Sequence, residues 1–257
     1  MNNSSCPFCS SRQQKTIVHL SKWNIVACTT CTNAWTDPPP GAIAYEHEDF
    51  HSNFGVKDLT DLPMQWQTAL KMQADLLESH MRPGSTILEI GCGEGFLLRL
   101  LSLKKFSVFG IEASISSSKR ARDAGLDVRT GYFPDVVPDV SFDGIILSQV
   151  LEHIADPVSF LNAIARRAPG ALLLNIQTNY RGLMPRLYPS TWYAWVPEQH
   201  YWHFPPKGLS MILRLTGIEP LVTEYASLVH GNRRLSQLGA WLPTLGDQFH
   251  LLSRINK

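Results

Sequence analysis

From residue 85 onward, short apolar runs alternate with segments whose apolar residues recur at helical spacing. The runs at 86–90, 108–112, 127–130, 142–148 and 171–177 are bounded by glycine, proline or polar clusters and read as strands. Helices between them are expected to start at about Gly95, Ser114 and Asp156. Asp156 followed by Pro157 is a favourable helix start, and Val158, Leu161, Ile164 and Ala165 share one face beyond it. A further helix over 207–216 gathers Leu209, Ile212 and Leu213 on one side and stops at Gly217. The segments 219–226 and 248–255 are the last strand candidates. This alternation predicts an α/β domain with a parallel sheet and helices on both faces.

The first part of the chain is patterned differently. Residues 16–20 and 23–27 are β-prone and lie between two Cys-X-X-Cys pairs, while Asp37-Pro38-Pro39-Pro40-Gly41 can sit in neither helix nor sheet and reads as a stiff linker. An aromatic and acidic stretch, 45–54, follows. Segment 65–81 then carries Ala69, Leu70, Leu76 and Leu77 at helical spacing and is stopped by Arg82-Pro83-Gly84. The expected division is a small module over 1–36, a connecting segment over 37–64 and the main domain over 65–257, without internal repeats.

A chain of 257 residues, 44% of them hydrophobic, can bury one full α/β core and carry one small accessory. The net charge of +1, from 23 basic and 22 acidic residues, gives no overall field toward nucleic acid or an acidic membrane. The polar start over 1–5 is not followed by an apolar stretch of secretory type, and no run reaches the ~18 residues of a membrane span. A cytoplasmic protein is expected, in which thiols stay reduced and paired cysteines indicate metal.

Cys6, Cys9, Cys28 and Cys31 form two pairs separated by 18 residues, the spacing of a zinc ribbon. Four thiolates close the coordination sphere, so zinc there is structural, with iron as the minor alternative. Residues 1–36 hold Arg12, Lys15 and Lys22 and no acid, a charge of +3 that a four-thiolate zinc at −2 lowers to +1. That is thin for a phosphate grip, so nucleic acid is an unlikely partner, and covering the substrate or forming a homodimer suits the ribbon better.

The strand at 86–90 runs into Gly91-Cys92-Gly93-Glu94-Gly95, whose glycines let the backbone turn tightly and approach a ligand. A dinucleotide fingerprint needs its third glycine at 96, where this chain has Phe96, so NAD is disfavoured. Glu112 ends the second strand, where a carboxylate can accept both hydroxyls of a ribose. With the stretches Leu88-Glu89-Ile90-Gly91-Cys92-Gly93-Glu94-Gly95, Phe142-Asp143-Gly144-Ile145 through Glu152-His153-Ile154, and Glu198-Gln199-His200-Tyr201-Trp202-His203-Phe204, the sequence resembles class I S-adenosylmethionine-dependent methyltransferases. Within them it is most similar to the ubiquinone-biosynthesis O-methyltransferases.

The resemblance implies a Rossmann-like seven-stranded sheet whose last strand is inserted antiparallel. It also implies S-adenosylmethionine over the loop residues Gly91, Cys92, Gly93 and Gly95, with Glu89 beside the methionine amino group and Glu112 and Ala113 at the ribose. By the same resemblance Tyr132 and Phe133 lie near the adenine, and Ser148 and Gln149 face the methionine portion. The family often has an acid just after the third strand, where this chain has Gly131-Tyr132-Phe133, so adenine recognition rests on stacking and backbone contacts.

Methyl transfer from a sulfonium is an in-line displacement helped mainly by positioning, and an oxygen nucleophile gains from a base. His153, after the fourth strand, is the first candidate base; His200 and His203, in a cluster with Trp192, Tyr193, Trp195, Tyr201, Trp202 and Phe204, are the others. That cluster reads either as an aromatic substrate lid or as a second packing layer, and Glu152 reads as a helix-start charge. Three functions remain open: a small-molecule methyltransferase acting at oxygen or carbon, an RNA methyltransferase using the ribbon to bind substrate, and a catalytically silent scaffold.

Overall fold

The structure, a computed structural model, describes residues 5–42, 44–45, 58–226 and 245–257. The acidic and aromatic stretch beyond Tyr45 lies outside the described residues. The main sheet has seven strands: β4 (Thr86–Ile90), β5 (Ser107–Glu112), β6 (Asp127–Thr130), β7 (Gly144–Ser148), β8 (Leu172–Thr178), β10 (Ile218–Ala226) and β11 (Gln248–Ile255). Their order is β10-β11-β8-β7-β4-β5-β6. The pairs from β8 to β6 are parallel, whereas β11 runs antiparallel to both β8 and β10. This is the expected α/β sheet with its last strand inserted antiparallel.

The central strands read as unbroken apolar runs because both faces of the sheet are covered. On one face α4 (Pro157–Arg167) and α6 (Pro206–Leu215) bury Leu161, Ile164, Leu209, Ile212 and Leu213 against Leu88, Ile145, Leu147 and Leu173. On the other, α1 (Met64–His80) and α2 (Phe96–Leu103) bury Leu77, Leu97 and Leu101 against Ile87, Ile146 and Leu174. The caps follow the sequence signals. Ser114 accepts a hydrogen bond from Ser117 N at the start of α3 (Ile115–Asp123), and Asp156 accepts one from Ser159 N with Pro157 in the first turn of α4.

The N-terminal hairpin, β1 (Gln14–Leu20) with β2 (Trp23–Cys28), continues into a third strand, β3 (Ala34–Asp37). A fourth strand comes from far along the chain: β9 (Trp202–His203) pairs antiparallel with β3, Ala34 opposite His203 and Trp35 opposite Trp202. Two residues carry no periodicity, which is why this strand is silent in the sequence. The seam is apolar as well. Trp192, Ala194 and Trp195 pack with Val18, Ile25, Ala27 and Ala34, and the Phe8 ring lies 4.7 Å from Trp202 and 6.1 Å from Phe204. Asn33 Nδ2 donates to Gly208 O at 3.1 Å, and the Tyr180 hydroxyl donates to Thr32 O. The dense aromatic segment is thus, in large part, a packing layer that seats the hairpin on the main domain.

Phe204 is 1% exposed and joins this seam to the core. Phe204→Ala is expected to lower unfolding free energy by about 3–5 kcal/mol. Leu103→Ala, at a position 78% exposed, should stay within about 0.5 kcal/mol of the wild type. Denaturant titration of the two variants checks both.

Candidate active site

The loop after β4 is shaped by its glycines and fastened by two carboxylates. Gly91 has φ of 72°, and a Cβ there would lie 2.6 Å from Val150 Cγ2; Gly95 has φ of 74°, and a Cβ would lie 2.2 Å from Leu126 Cδ1. Both positions combine a left-handed backbone with a close neighbour, which only glycine tolerates. Glu112, at the end of β5, accepts Gly93 N on one carboxylate oxygen and Ser114 N on the other, each at 2.7 Å. It therefore clamps the glycine loop to the start of α3. Glu94, 4% exposed, accepts Arg120 Nε at 2.7 Å and ties the same loop to α3 a second time. These partners are 26 residues apart, so no local pattern in the sequence pairs them.

Glu89 is buried at the carboxyl half of β4, and its Oε2 has no hydrogen-bond partner among the described residues. Burial, with the nearby charge of Glu112, pushes its carboxyl up to about 8. A buried acid with a bare oxygen beside a glycine cradle suits a ligand that brings its own cation. Cys92 is placed differently from its loop neighbours. Its sulfur packs beneath the loop with Leu98, Ala121 and Val128, 2.6 Å from where a Cβ on Gly110 would be, so only its backbone faces the loop. Ala113 follows Glu112 and is half-buried. Tyr132 is 41% exposed whereas Phe133 is buried, its ring 5.4 Å from Phe160. Ser148 ends β7, and Gln149, with φ of 55°, turns its side-chain amide back to Ile176 O.

A 3-10 turn over Leu151–His153 follows, and the aromatic segment lies over it. Tyr201 N donates to Glu152 O at 2.9 Å, and Trp202 Nε1 donates to Ile154 O at 2.8 Å. These bonds bring His153 and His200 together, with ring centroids 4.6 Å apart, and His203 lies 6.0 Å from His200. Burial lowers the pKa of His153 to about 4 and of His203 to about 3, and takes His200 well below the usual imidazole range, helped by the neighbouring histidines. All three rings are neutral at neutral pH. Tyr45, silent in the sequence, places its hydroxyl 2.9 Å from His153 Nδ1. Glu152 lies in the first turn of this 3-10 helix, as expected of a helix-start charge, and is buried there: it is 2% exposed, accepts Gln177 Nε2 at 2.8 Å, and burial raises its pKa to about 7. One ligand atom each of Glu152, His153 and His200 lie within 4.8 Å of one another, close enough to share a cation.

The four ribbon cysteines also converge. Their sulfurs lie within 4.8 Å of one another, with Cys6 and Cys31, and Cys9 and Cys28, each 3.6 Å apart. The donor set and its spacing fit a four-thiolate zinc.

The methyltransferase-domain family model matches residues 64–223. A ubiquinone biosynthesis O-methyltransferase of Paramagnetospirillum magneticum is 28% identical over 174 residues, 60% of this chain and 62% of that protein, so the chain spans less than two thirds of that relative's length. Among solved structures, a chain of the complex between the Trm112 methyltransferase activator and a methyltransferase from Haloferax volcanii superposes with a TM-score of 0.61 at 19% identity, covering 75% of this chain and 91% of that one. Magnesium protoporphyrin IX methyltransferase from Synechocystis, solved with bound S-adenosylmethionine, gives a TM-score of 0.55 at 16% identity, covering 82% and 87%. Among the described residues no helix is long and apolar enough to cross a membrane.

The raised pKa of Glu89 links stability to pH. Its folded value of about 8 exceeds the unfolded 4.5, so its contribution is fully present below 4.5 and is lost as pH rises through 8. Glu89→Gln cannot ionise. In unfolding titrations without ligand, its stability relative to wild type should grow with pH between these limits and level off above them. A constant difference across that window would mean that Glu89 ionises normally.

Proposed function

We propose that this chain, a member of the methyltransferase-domain family, is an S-adenosylmethionine-dependent methyltransferase that methylates a small-molecule acceptor, at oxygen or carbon, beside the histidine cluster. One observation carries the reading: the glycine loop packs directly on the segment that bears His153, Val150 filling the space a side chain at Gly91 would need. Loop and cluster thus share the carboxyl edge of the sheet, where ligands of open α/β sheets bind.

When bound, the cofactor supplies a sulfonium methyl group whose carbon–sulfur bond breaks as the bond to the acceptor forms. The bare carboxyl of Glu89 is placed to receive an ammonium group. Glu112, fixed at the end of β5 by its bonds to Gly93 N and Ser114 N, stands where a carboxylate would accept ribose hydroxyls. Main-chain groups of Gly91, Gly93 and Gly95 come close to the ligand, while Tyr132, Phe133, Ser148 and Gln149 border it. For a hydroxyl acceptor, His153 is the base, assisted by the Tyr45 hydroxyl at its Nδ1. With burial holding its pKa near 4, His153 would hold the acceptor hydroxyl by a hydrogen bond and receive its proton as that oxygen reacts.

Two features favour a small acceptor over RNA. The ribbon's apolar side and its Asn33 are spent on docking to the main domain, and its few cations are thin for a polyanion. Zinc held by Cys6, Cys9, Cys28 and Cys31 keeps that docking surface in shape and leaves no coordination position open for chemistry.

Three outcomes are expected. Both Glu112→Ala and Glu112→Gln should weaken S-adenosylmethionine binding by about 1.5–3 kcal/mol in calorimetry, because the amide of Gln brings a donor to a site that must accept. Equal affinity would remove Glu112 from the ribose. Elemental analysis should find one zinc per chain, retained in Cys92→Ala and lost in Cys28→Ser; a metal-free wild type purified without chelator contradicts the ribbon. With a hydroxyl acceptor at saturating cofactor, His153→Ala should lose about 10²- to 10⁴-fold in turnover and keep its cofactor affinity. Unchanged turnover would place the base elsewhere.

A further inference from the structure

The strand that joins ribbon to main domain carries one polar side chain turned into the seam. Thr36, in β3, is 2% exposed. Its N–H donates to Tyr201 O at 3.1 Å, its Oγ1 lies 2.6 Å from His200 O, and the same Oγ1 lies 3.2 Å from His203 Nε2. Three contacts, to residues 200, 201 and 203, therefore converge on a single ribbon residue.

The hydroxyl has one proton, which settles the direction of each bond. A carbonyl oxygen can only accept, and two oxygens 2.6 Å apart repel unless a proton lies between them. The Thr36 proton is thus committed to His200 O, and toward His203 its oxygen can only accept. His203 Nε2 must then be the donor, and in a neutral imidazole the other nitrogen, Nδ1, carries the lone pair. The structure agrees: His203 Nδ1 is buried and has no hydrogen-bond partner among the described residues. The same commitment pins the backbone of His200, whose Nδ1 is 3.1 Å from Ala194 O and so donates to it, turning its Nε2 lone pair to the cluster.

We propose that Thr36 is a positioning residue for the histidine cluster: through the shared strand it fixes His203 as the Nε2–H tautomer and anchors His200, so that the zinc ribbon is a structural part of the acceptor site. This rests on the reading of the cluster as the acceptor site. It gives the ribbon a task that needs neither nucleic acid nor a second chain.

The test is two-bond proton–nitrogen NMR of the histidine rings in the zinc-loaded full chain, with His203 assigned through His203→Gln. Wild type and Thr36→Ser, which keeps the hydroxyl, are expected to show His203 as Nε2–H with a slowly exchanging ring proton. Thr36→Val removes the whole hydroxyl, both the donor to His200 O and the acceptor for His203 Nε2, and the His203 ring proton should exchange about tenfold faster or more, with zinc content and S-adenosylmethionine affinity as in wild type. An Nδ1–H tautomer in wild type, or the same exchange rate in Thr36→Val, overturns the proposal. If Thr36→Val does not fold, the wild-type tautomer alone decides. Failure here leaves the acceptor reading intact, since that is tested separately by turnover of His153→Ala.

Discussion

The carboxylate of Glu112 holds the glycine loop after β4 and the start of α3 in register. One oxygen takes the N–H of Gly93 in the loop after β4, and the other takes the N–H of Ser114 at the start of α3. Both acceptor bonds are charge-assisted, and both lie where the carboxyl edges of two parallel strands meet. A glycine-rich loop gains flexibility at an entropic cost, and a bridging carboxylate recovers order without adding a side chain that would fill the cleft. The Glu94–Arg120 pair ties the same loop to α3 a second time. With these bonds made, the loop is preorganised against Val150, and the segment leading to the histidines has a fixed starting point.

That segment meets the ribbon. A hairpin with a metal knuckle cannot bury a core of its own, and this one does so by sharing a strand and an aromatic layer with the larger domain. The pairing of β3 with β9 places ribbon residues within hydrogen-bond reach of the histidine segment. Because the rings of buried His200 and His203 and of half-buried His153 are neutral, their bonding depends on tautomer more than on charge, and tautomers are set by which neighbour can donate and which can only accept. The ribbon supplies such a neighbour.

The main sheet was legible in the sequence because each of its strands is a run long enough to show period and boundary: 86–90, 127–130 and 248–255 match β4, β6 and β11 to the residue. The caps at Ser114 and Asp156 and the cysteine pairs were legible for the same reason, since their chemistry is local. What escaped is long-range. Strand β9 has two residues, Glu94 finds Arg120 only through the fold, and Tyr45 reaches His153 from 108 residues away. The place of Glu152 at a helix start was legible, but its burial under Gln177 was not, since that partner is 25 residues away. The aromatic segment was read as either lid or packing layer, and the contacts of Trp192 and Trp195 with the ribbon account for the second.

In the proposed mechanism the glycine loop, Glu89 and Glu112 form one site for S-adenosylmethionine. Isothermal titration of the purified protein with S-adenosylmethionine, repeated with S-adenosylhomocysteine as competitor, tests it most directly. The expected result is one site per chain, occupied by either ligand and blocked to the second once the first is bound. Absence of binding, or two ligands bound side by side, would contradict it.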